Sequence, residues 1–145
     1  MKWILLASVV LVALVVAIAA VGAMLPRDHV ASRSLTVPQP PEVVWPALLR
    51  AMQGSSVPVD ILEQHPPRRL VTRVSEKETN FGGTWTIAIA PTSAGSTVSV
   101  TEQGWVANPI FRFVSRFVMG HHATLDAILK QVASDLGVPA ALSGA

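Results

Sequence analysis

The chain has 145 residues, of which 50% are hydrophobic and 14% are charged, and its net charge is +2. An average soluble domain is about 25% charged. The lack of cysteine excludes a disulfide scaffold and a cysteine-ligated metal site. High apolar content and low net charge argue against disorder, and the small net charge gives no reason to expect a nucleic-acid partner.

The first part of the chain is an apolar stretch without a charged residue, from Trp3 to Leu25. A helix of this length, at about 1.5 Å per residue, extends about 34 Å and can cross a hydrocarbon core of about 30 Å. The pattern predicts a single-pass transmembrane anchor within residues 1–28, with the lipid bilayer as a partner.

Two alternatives compete with the anchor. A cleaved secretory signal would use the small residues near the end of the stretch, but its apolar region is usually about 7–15 residues long, which is shorter than this one. A buried core helix is disfavoured because the stretch is apolar on every face.

The orientation of the anchor is only weakly specified by charge. Lys2 lies on one side of the apolar stretch and Arg27 on the other, so the two flanks carry nearly equal positive charge. The short N-terminal tail favours a folded domain outside the cytoplasm.

The folded domain, residues 29–138, begins with a strand and a helix. Residues 30–37 alternate in polarity and predict the strand. Pro41 and Glu42 suit the first turn of a helix. Apolar residues at helical spacing follow them, and Gly54 marks the predicted end of this helix. Pro46 inside this pattern predicts a kink or a later start.

Period-two alternation then predicts four more strands, joined by turns at 75–80 and 91–96. The predicted strands are residues 57–63, 69–74, 83–90 and 97–106.

Asn108 and Pro109 precede the last predicted element, and Asn108 suits a helix cap. Apolar residues recur every three or four positions from about 110 to 136, which predicts one long amphipathic helix. Gly137 marks its end, and residues 139–145 are predicted to form a flexible tail. The order of elements predicts an α+β fold, with an antiparallel sheet of about five strands wrapped on the long C-terminal helix and a cavity between them.

Seven segments of the domain carry a family resemblance when taken together. They are residues 37–38 (VP), 41–45 (PEVVW), 66–71 (PPRRLV), 81–86 (FGGTWT), 101–104 (TEQG), 108–113 (NPIFRF) and 115–121 (SRFVMGH). This ensemble resembles the START-like helix-grip superfamily (SRPBCC), in its polyketide cyclase/dehydrase branch, over nearly all of residues 29–137.

The resemblance implies a helix-grip domain that binds an apolar or amphipathic small molecule in a cavity between sheet and helix. Some members of the family catalyse cyclisation or dehydration. The short connection between Met52 and Pro66 departs from the family pattern, which usually has more strands. We therefore expect a smaller cavity, or one that is open at one end.

Glu102 and His121 are the candidate catalytic residues if the protein is an enzyme. Glu102 shares a strand face with Val98 and Val100 and is predicted to point inward, where a desolvated carboxyl can act as an acid or base. The alternative, which we favour, is an ion pair of Glu102 with Arg112 or Arg116 across the start of the last helix. A structural role is the alternative for His121.

Trp85, Glu102, Arg116 and His121 are the candidate ligand-binding residues. A core position is the alternative for Trp85, and a salt bridge to the sheet is the alternative for Arg116. His121 and His122 are adjacent and face different sides of a helix, so no metal site is predicted. No motif for a cofactor stands in the sequence, and none is expected.

Three functions remain open. The first is a binding module for a hydrophobic small molecule or lipid, held near the bilayer. The second is a cyclase- or dehydratase-type enzyme. The third is a membrane-tethered interaction domain with a filled core, and the absence of a cavity between helix and sheet would distinguish it. The sequence leaves the oligomeric state open.

Overall fold

The computed structural model describes residues 1–74, 80–120 and 122–144. Within these residues the fold is α+β, with four α-helices and a six-stranded antiparallel open sheet. The helices are α1 (Lys2–Met24), α2 (Pro41–Gln53), α3 (Pro109–Val114) and α4 (Ala123–Asp135). The strands are β1 (Asp28–Val37), β2 (Val59–His65), β3 (Arg69–Val74), β4 (Phe81–Thr92), β5 (Gly95–Val106) and β6 (Leu142–Ser143).

The sheet has the order β2-β3-β4-β5-β1-β6, and each neighbouring pair runs antiparallel. Its two long central strands, β4 and β5, pair along their full length. The predicted alternation is confirmed in both, because Trp85, Ile87 and Ile89 are buried on β4 while Val98 and Val100 are buried on β5. These side chains form one apolar face of the sheet.

Helices α2 and α4 pack on this face and on each other. Their apolar stripes are fully buried at Val44 and Leu48 of α2 and at Leu125, Leu129 and Val132 of α4. The first turn of α2 contains Pro41, where a missing backbone N–H is harmless, and Glu42, whose charge suits the helix dipole. The helix continues through Pro46.

The single long C-terminal helix predicted from the periodicity is not present. The chain instead forms α3, a π-helical turn over Ser115–Met119, and α4. Gly120 separates the π-helical turn from α4, and its φ of 76° and ψ of 151° are open to glycine but not to other residues. The helical spacing of apolar residues continues across this break, which is why the sequence predicted a single helix. Val118 was expected to face inward on that helix, but it is 72% exposed.

The sheet also has one strand more than expected. The segment 139–145, predicted as a flexible tail, contains β6, which pairs with Ser34 and Leu35 of β1. The Arg33 guanidinium donates a hydrogen bond to the carbonyl of Gly144. Of the predicted turn at 75–80, residues 75–79 lie outside the described residues.

Helix α1 has 23 residues and a mean hydropathy of 3.2 in its most apolar window. Within the described part of the chain, α1 is the helix whose length and composition suit a membrane span, and a signal sequence would have the same properties. Nearly all of its side chains are exposed, and Gly22 is its buried residue. The helix therefore takes no part in the core of the domain.

Candidate functional site

A partly enclosed cavity of about 450 Å³ lies between the sheet and the segment that contains α3 and the π-helical turn. It is located at the end of the sheet where β1 and β4 begin and β5 ends. Apolar side chains from these strands and from the overlying segment form most of its wall, including Val74, Phe81, Trp85, Trp105, Val106, Phe111, Val114 and Met119. The volume falls within the range of about 300–1,000 Å³ that is typical of small-molecule sites.

One polar pair interrupts this apolar wall. The Nε2 atom of His29 lies 3.5 Å from the Oε1 atom of Glu102, and each side chain is 17% exposed. The β1–β5 register places His29 opposite Gly104. A Cβ atom at position 104 would lie 2.6 Å from the His29 ring and 3.0 Å from the Glu102 carboxylate, so glycine makes room for the pair.

Trp85 lies beside this pair in the cavity wall. It is the register partner of Glu102 on the neighbouring strand, and it is 2% exposed. Its buried indole Nε1–H has no hydrogen-bond partner among the described residues. Buried indole N–H groups usually have a partner, so this donor is an exception, and its nitrogen has almost no surface open to the cavity.

The helical segment over the cavity begins at the predicted cap. The Asn108 side-chain oxygen accepts hydrogen bonds from the backbone N–H groups of Ile110 and Phe111, at 2.9 and 3.3 Å. This confirms the prediction for Asn108 and fixes the start of α3. Phe111 and Met119 then contribute cavity-lining side chains from either end of the segment.

The structure brings two of the four predicted ligand-binding residues to the cavity, namely Trp85 and Glu102. Arg116 is exposed on the π-helical turn and is not among the side chains that line the cavity. His121 lies outside the described residues. The binding role of all four remains a prediction.

His29 is a cavity residue that the sequence reasoning missed. A single histidine near the start of a strand matches no sequence motif. The alternation along β1 places His29 on one face of the strand, and this was the only sign of its position. The ion pair expected between Glu102 and an arginine is replaced by the pair with His29. Arg112 instead donates hydrogen bonds to the carbonyls of Leu25 and Ala107.

Comparison with solved structures shows what kind of fold surrounds this cavity. A conserved protein from Geobacillus kaustophilus matches with a TM-score of 0.60 and 11% identity, over 80% of this chain and 100% of that one. Protein MLL2253 from Mesorhizobium loti matches with a TM-score of 0.55 and 14% identity, over 77% and 97% of the two chains. These matches are consistent with a helix-grip-like fold.

A third structure, protein CV1439 from Chromobacterium violaceum, has a TM-score of 0.51 and 18% identity, over 75% of this chain and 96% of that one. No protein-family model and no curated protein matches the chain. At these identities the likeness is one of fold, and residue roles do not transfer with it. Function must be argued from the cavity itself.

Proposed function

We propose that the protein is a membrane-anchored START-like domain of the SRPBCC type that binds a hydrophobic small molecule or lipid in the cavity. The observation that carries this proposal is the cavity of about 450 Å³ with its largely apolar wall. Burial of apolar ligand surface in such a site contributes about 25 cal/mol per Å². The cavity also disfavours the alternative of an interaction domain with a filled core.

The wall chemistry favours an amphipathic ligand over a pure hydrocarbon. The Trp85 indole N–H has no partner among the described residues, and the His29–Glu102 pair lies on the same wall. A ligand with an apolar body and one hydroxyl or carbonyl group would place the polar group at the His29–Glu102 pair. Its apolar body would then contact Phe111, Val114 and the other apolar lining residues.

Helix α1 supports the membrane part of the proposal. An exposed apolar helix of 23 residues is costly in water and is long enough to span the bilayer. We assign it as an uncleaved single-pass anchor with the folded domain outside the cytoplasm. The intact mass of the protein recovered from membranes tests the assignment, because removal of a signal peptide would take α1 away.

An enzyme of cyclase or dehydratase type is the second candidate, and the His29–Glu102 pair favours it. A histidine and a carboxylate 3.5 Å apart in a cavity are the groups used in general acid–base catalysis. Turnover of a polyketide-like substrate that is lost in Glu102→Gln would support this function. Turnover that survives the combined His29→Ala and Glu102→Gln changes would exclude this pair as the catalyst.

Native mass spectrometry of the full chain, released from mild detergent, tests the binding function. The wild-type protein should carry a co-purified lipid or apolar molecule that can be extracted and identified. Val114→Trp should lose this ligand because Val114 lines the cavity, whereas Val43→Trp should keep it because Val43 is exposed on α2. Recovery of equal ligand from both variants would contradict binding in the cavity.

A further inference from the structure

Five large apolar side chains are exposed close together on α3 and the π-helical turn. Their exposed fractions are 38% for Ile110, 48% for Phe111, 60% for Phe117, 72% for Val118 and 67% for Met119. We call these five residues the 110–119 surface. Large apolar patches that a protein leaves exposed usually mark a contact with a partner or a membrane, and these five side chains are exposed within ten residues of the chain.

The 110–119 surface begins where α1 ends. Gly22, in the last turn of α1, lies so close to Pro109 that an added Cβ atom would collide with the Pro109 carbonyl. The Arg112 guanidinium donates a 3.1 Å hydrogen bond to the carbonyl of Leu25, the residue that follows α1. These two contacts hold α3 beside the end of the helix that we assign as the membrane anchor.

Cationic and aromatic groups flank this junction. The Arg27 guanidinium lies 5.2 Å from the centre of the Trp105 ring. Arg27 is two residues after Leu25, Arg116 lies within the segment 110–119, and both arginines are exposed. Arginine and tryptophan are typical of the membrane–water interface, where arginine can pair with lipid phosphates. Asp28 is also exposed and offsets part of this positive charge.

The 110–119 surface and the cavity share two side chains. Phe111 and Met119 are both exposed and both part of the cavity wall. A molecule that lies against this surface therefore lies at the boundary of the cavity.

We infer that the 110–119 surface is a second membrane contact, which sits in the interfacial layer of the bilayer and opens the cavity toward the lipid. The inference rests on the proposed anchoring by α1 and adds a fixed position of the domain on the membrane. The occupant of the surface is the lipid, because the contacts at Gly22 and Arg112 place the surface at the depth where the anchor leaves the bilayer.

Site-directed spin labelling tests the inference in the full chain, which has no cysteine of its own. Single nitroxide labels are placed at Val118→Cys in the 110–119 surface, Val43→Cys on the exposed face of α2, and Val12→Cys in α1. The protein is reconstituted in vesicles of phosphatidylcholine and phosphatidylglycerol. Collision with oxygen, which partitions into lipid, is compared with collision with a water-soluble nickel chelate.

The label at position 118 should lose collision with the nickel chelate and keep collision with oxygen, whereas the label at position 43 should collide freely with the chelate. If the labels at positions 118 and 43 are equally accessible to the chelate, the inference is overturned. If position 12 is shielded from the chelate in that case, the anchor stands and the second contact alone is wrong. If position 12 is also accessible, the proposed anchoring fails with it.

A second copy of the chain on the 110–119 surface would give another pattern. The label at 118 would then be shielded from both reagents, and its spectrum would show spin–spin broadening that disappears when labelled protein is diluted with unlabelled protein. That result would replace the membrane contact with a protein interface. Val118→Cys and Val43→Cys both change exposed side chains, so the fold should survive in each.

Discussion

His29 and Glu102 meet across the β1–β5 pair, with 3.5 Å between the imidazole Nε2 and the carboxylate Oε1, in the wall of a largely apolar cavity. Both side chains keep some contact with solvent, which screens the attraction between them and limits what the pair adds to stability. Its effect should be seen in ligand preference, since a charge in a cavity acts on any charged group bound beside it.

Glu102→Gln removes the negative charge and keeps the size of the side chain. We expect several-fold tighter binding of a fatty-acid anion to this variant, because the repulsion between two carboxylates is lost, and little change for a neutral monoacylglycerol. Titration of both ligands by fluorescence measures the difference. Glu63→Gln is the control, because Glu63 pairs with Arg69 on the exposed part of the sheet. An equal effect of both substitutions would contradict the role of Glu102.

Gly120→Ala should destabilise the domain by about 1–3 kcal/mol, because the backbone there is in a region that only glycine adopts easily. Gly54→Ala is the matched control, since Gly54 has a φ of −80° and its added Cβ would meet nothing closer than 3.5 Å. The control should change stability by less than about 1 kcal/mol. Denaturant unfolding measures both, and a Gly120→Ala protein as stable as the wild type would disprove the break between the π-helical turn and α4.

Leu129→Ala should destabilise the domain by about 2–5 kcal/mol, because the side chain is fully buried where α4 faces the sheet. Leu62→Ala removes the same atoms from an exposed position on β2 and should change the free energy of unfolding by less than about 0.5 kcal/mol. The comparison uses the same urea titration. Similar losses in the two variants would mean that α4 does not form the core.

Asp135 should make the contact between α2 and α4 dependent on pH. The Gln131 amide and the Arg50 guanidinium donate hydrogen bonds of 2.9 and 3.0 Å to its carboxylate and hold the pKa of Asp135 below its ordinary value of 3.8. The stabilisation is therefore complete above the unfolded-state pKa and is lost as pH falls through the lower folded-state pKa.

Asp135→Asn should accordingly lower the melting temperature at pH 7, and the difference from wild type should shrink as the pH falls below about 3.8. Thermal unfolding followed by circular dichroism at several pH values measures this. Asp60→Asn, at an exposed position of β2, serves as the control. A difference that stays constant down to the lowest pH would show that the charge of Asp135 plays no part.

The strands and the start of α2 could be predicted from the sequence because local signals determine them. Alternation identified the buried face of β4 at Trp85 and Ile87, and the Asn108 side chain forms the cap that its position suggested. The inward position of Glu102 followed from the same alternation. In each case the signal lies within a few residues of the feature.

The break at Gly120 could not be predicted in this way, because apolar residues keep their helical spacing on both sides of it. That spacing reflects two different environments, the core for Leu125 and an exposed surface for Val118. The pairing of His29 with Glu102 depends on the β1–β5 register, and the size of the cavity depends on how the overlying segment sits on the sheet. Such tertiary relationships leave no local pattern.

The central claim, a ligand-binding cavity, is tested most directly by titration of the full chain with the fluorescent fatty acid cis-parinaric acid. Wild-type protein and Val43→Trp should both bind it saturably with similar affinity, because Val43 is exposed and distant in sequence from the cavity wall. Val114→Trp should bind it about tenfold more weakly or worse, because the larger side chain fills the cavity. Absence of saturable binding to the wild type, or equal affinity in all three proteins, would contradict the account.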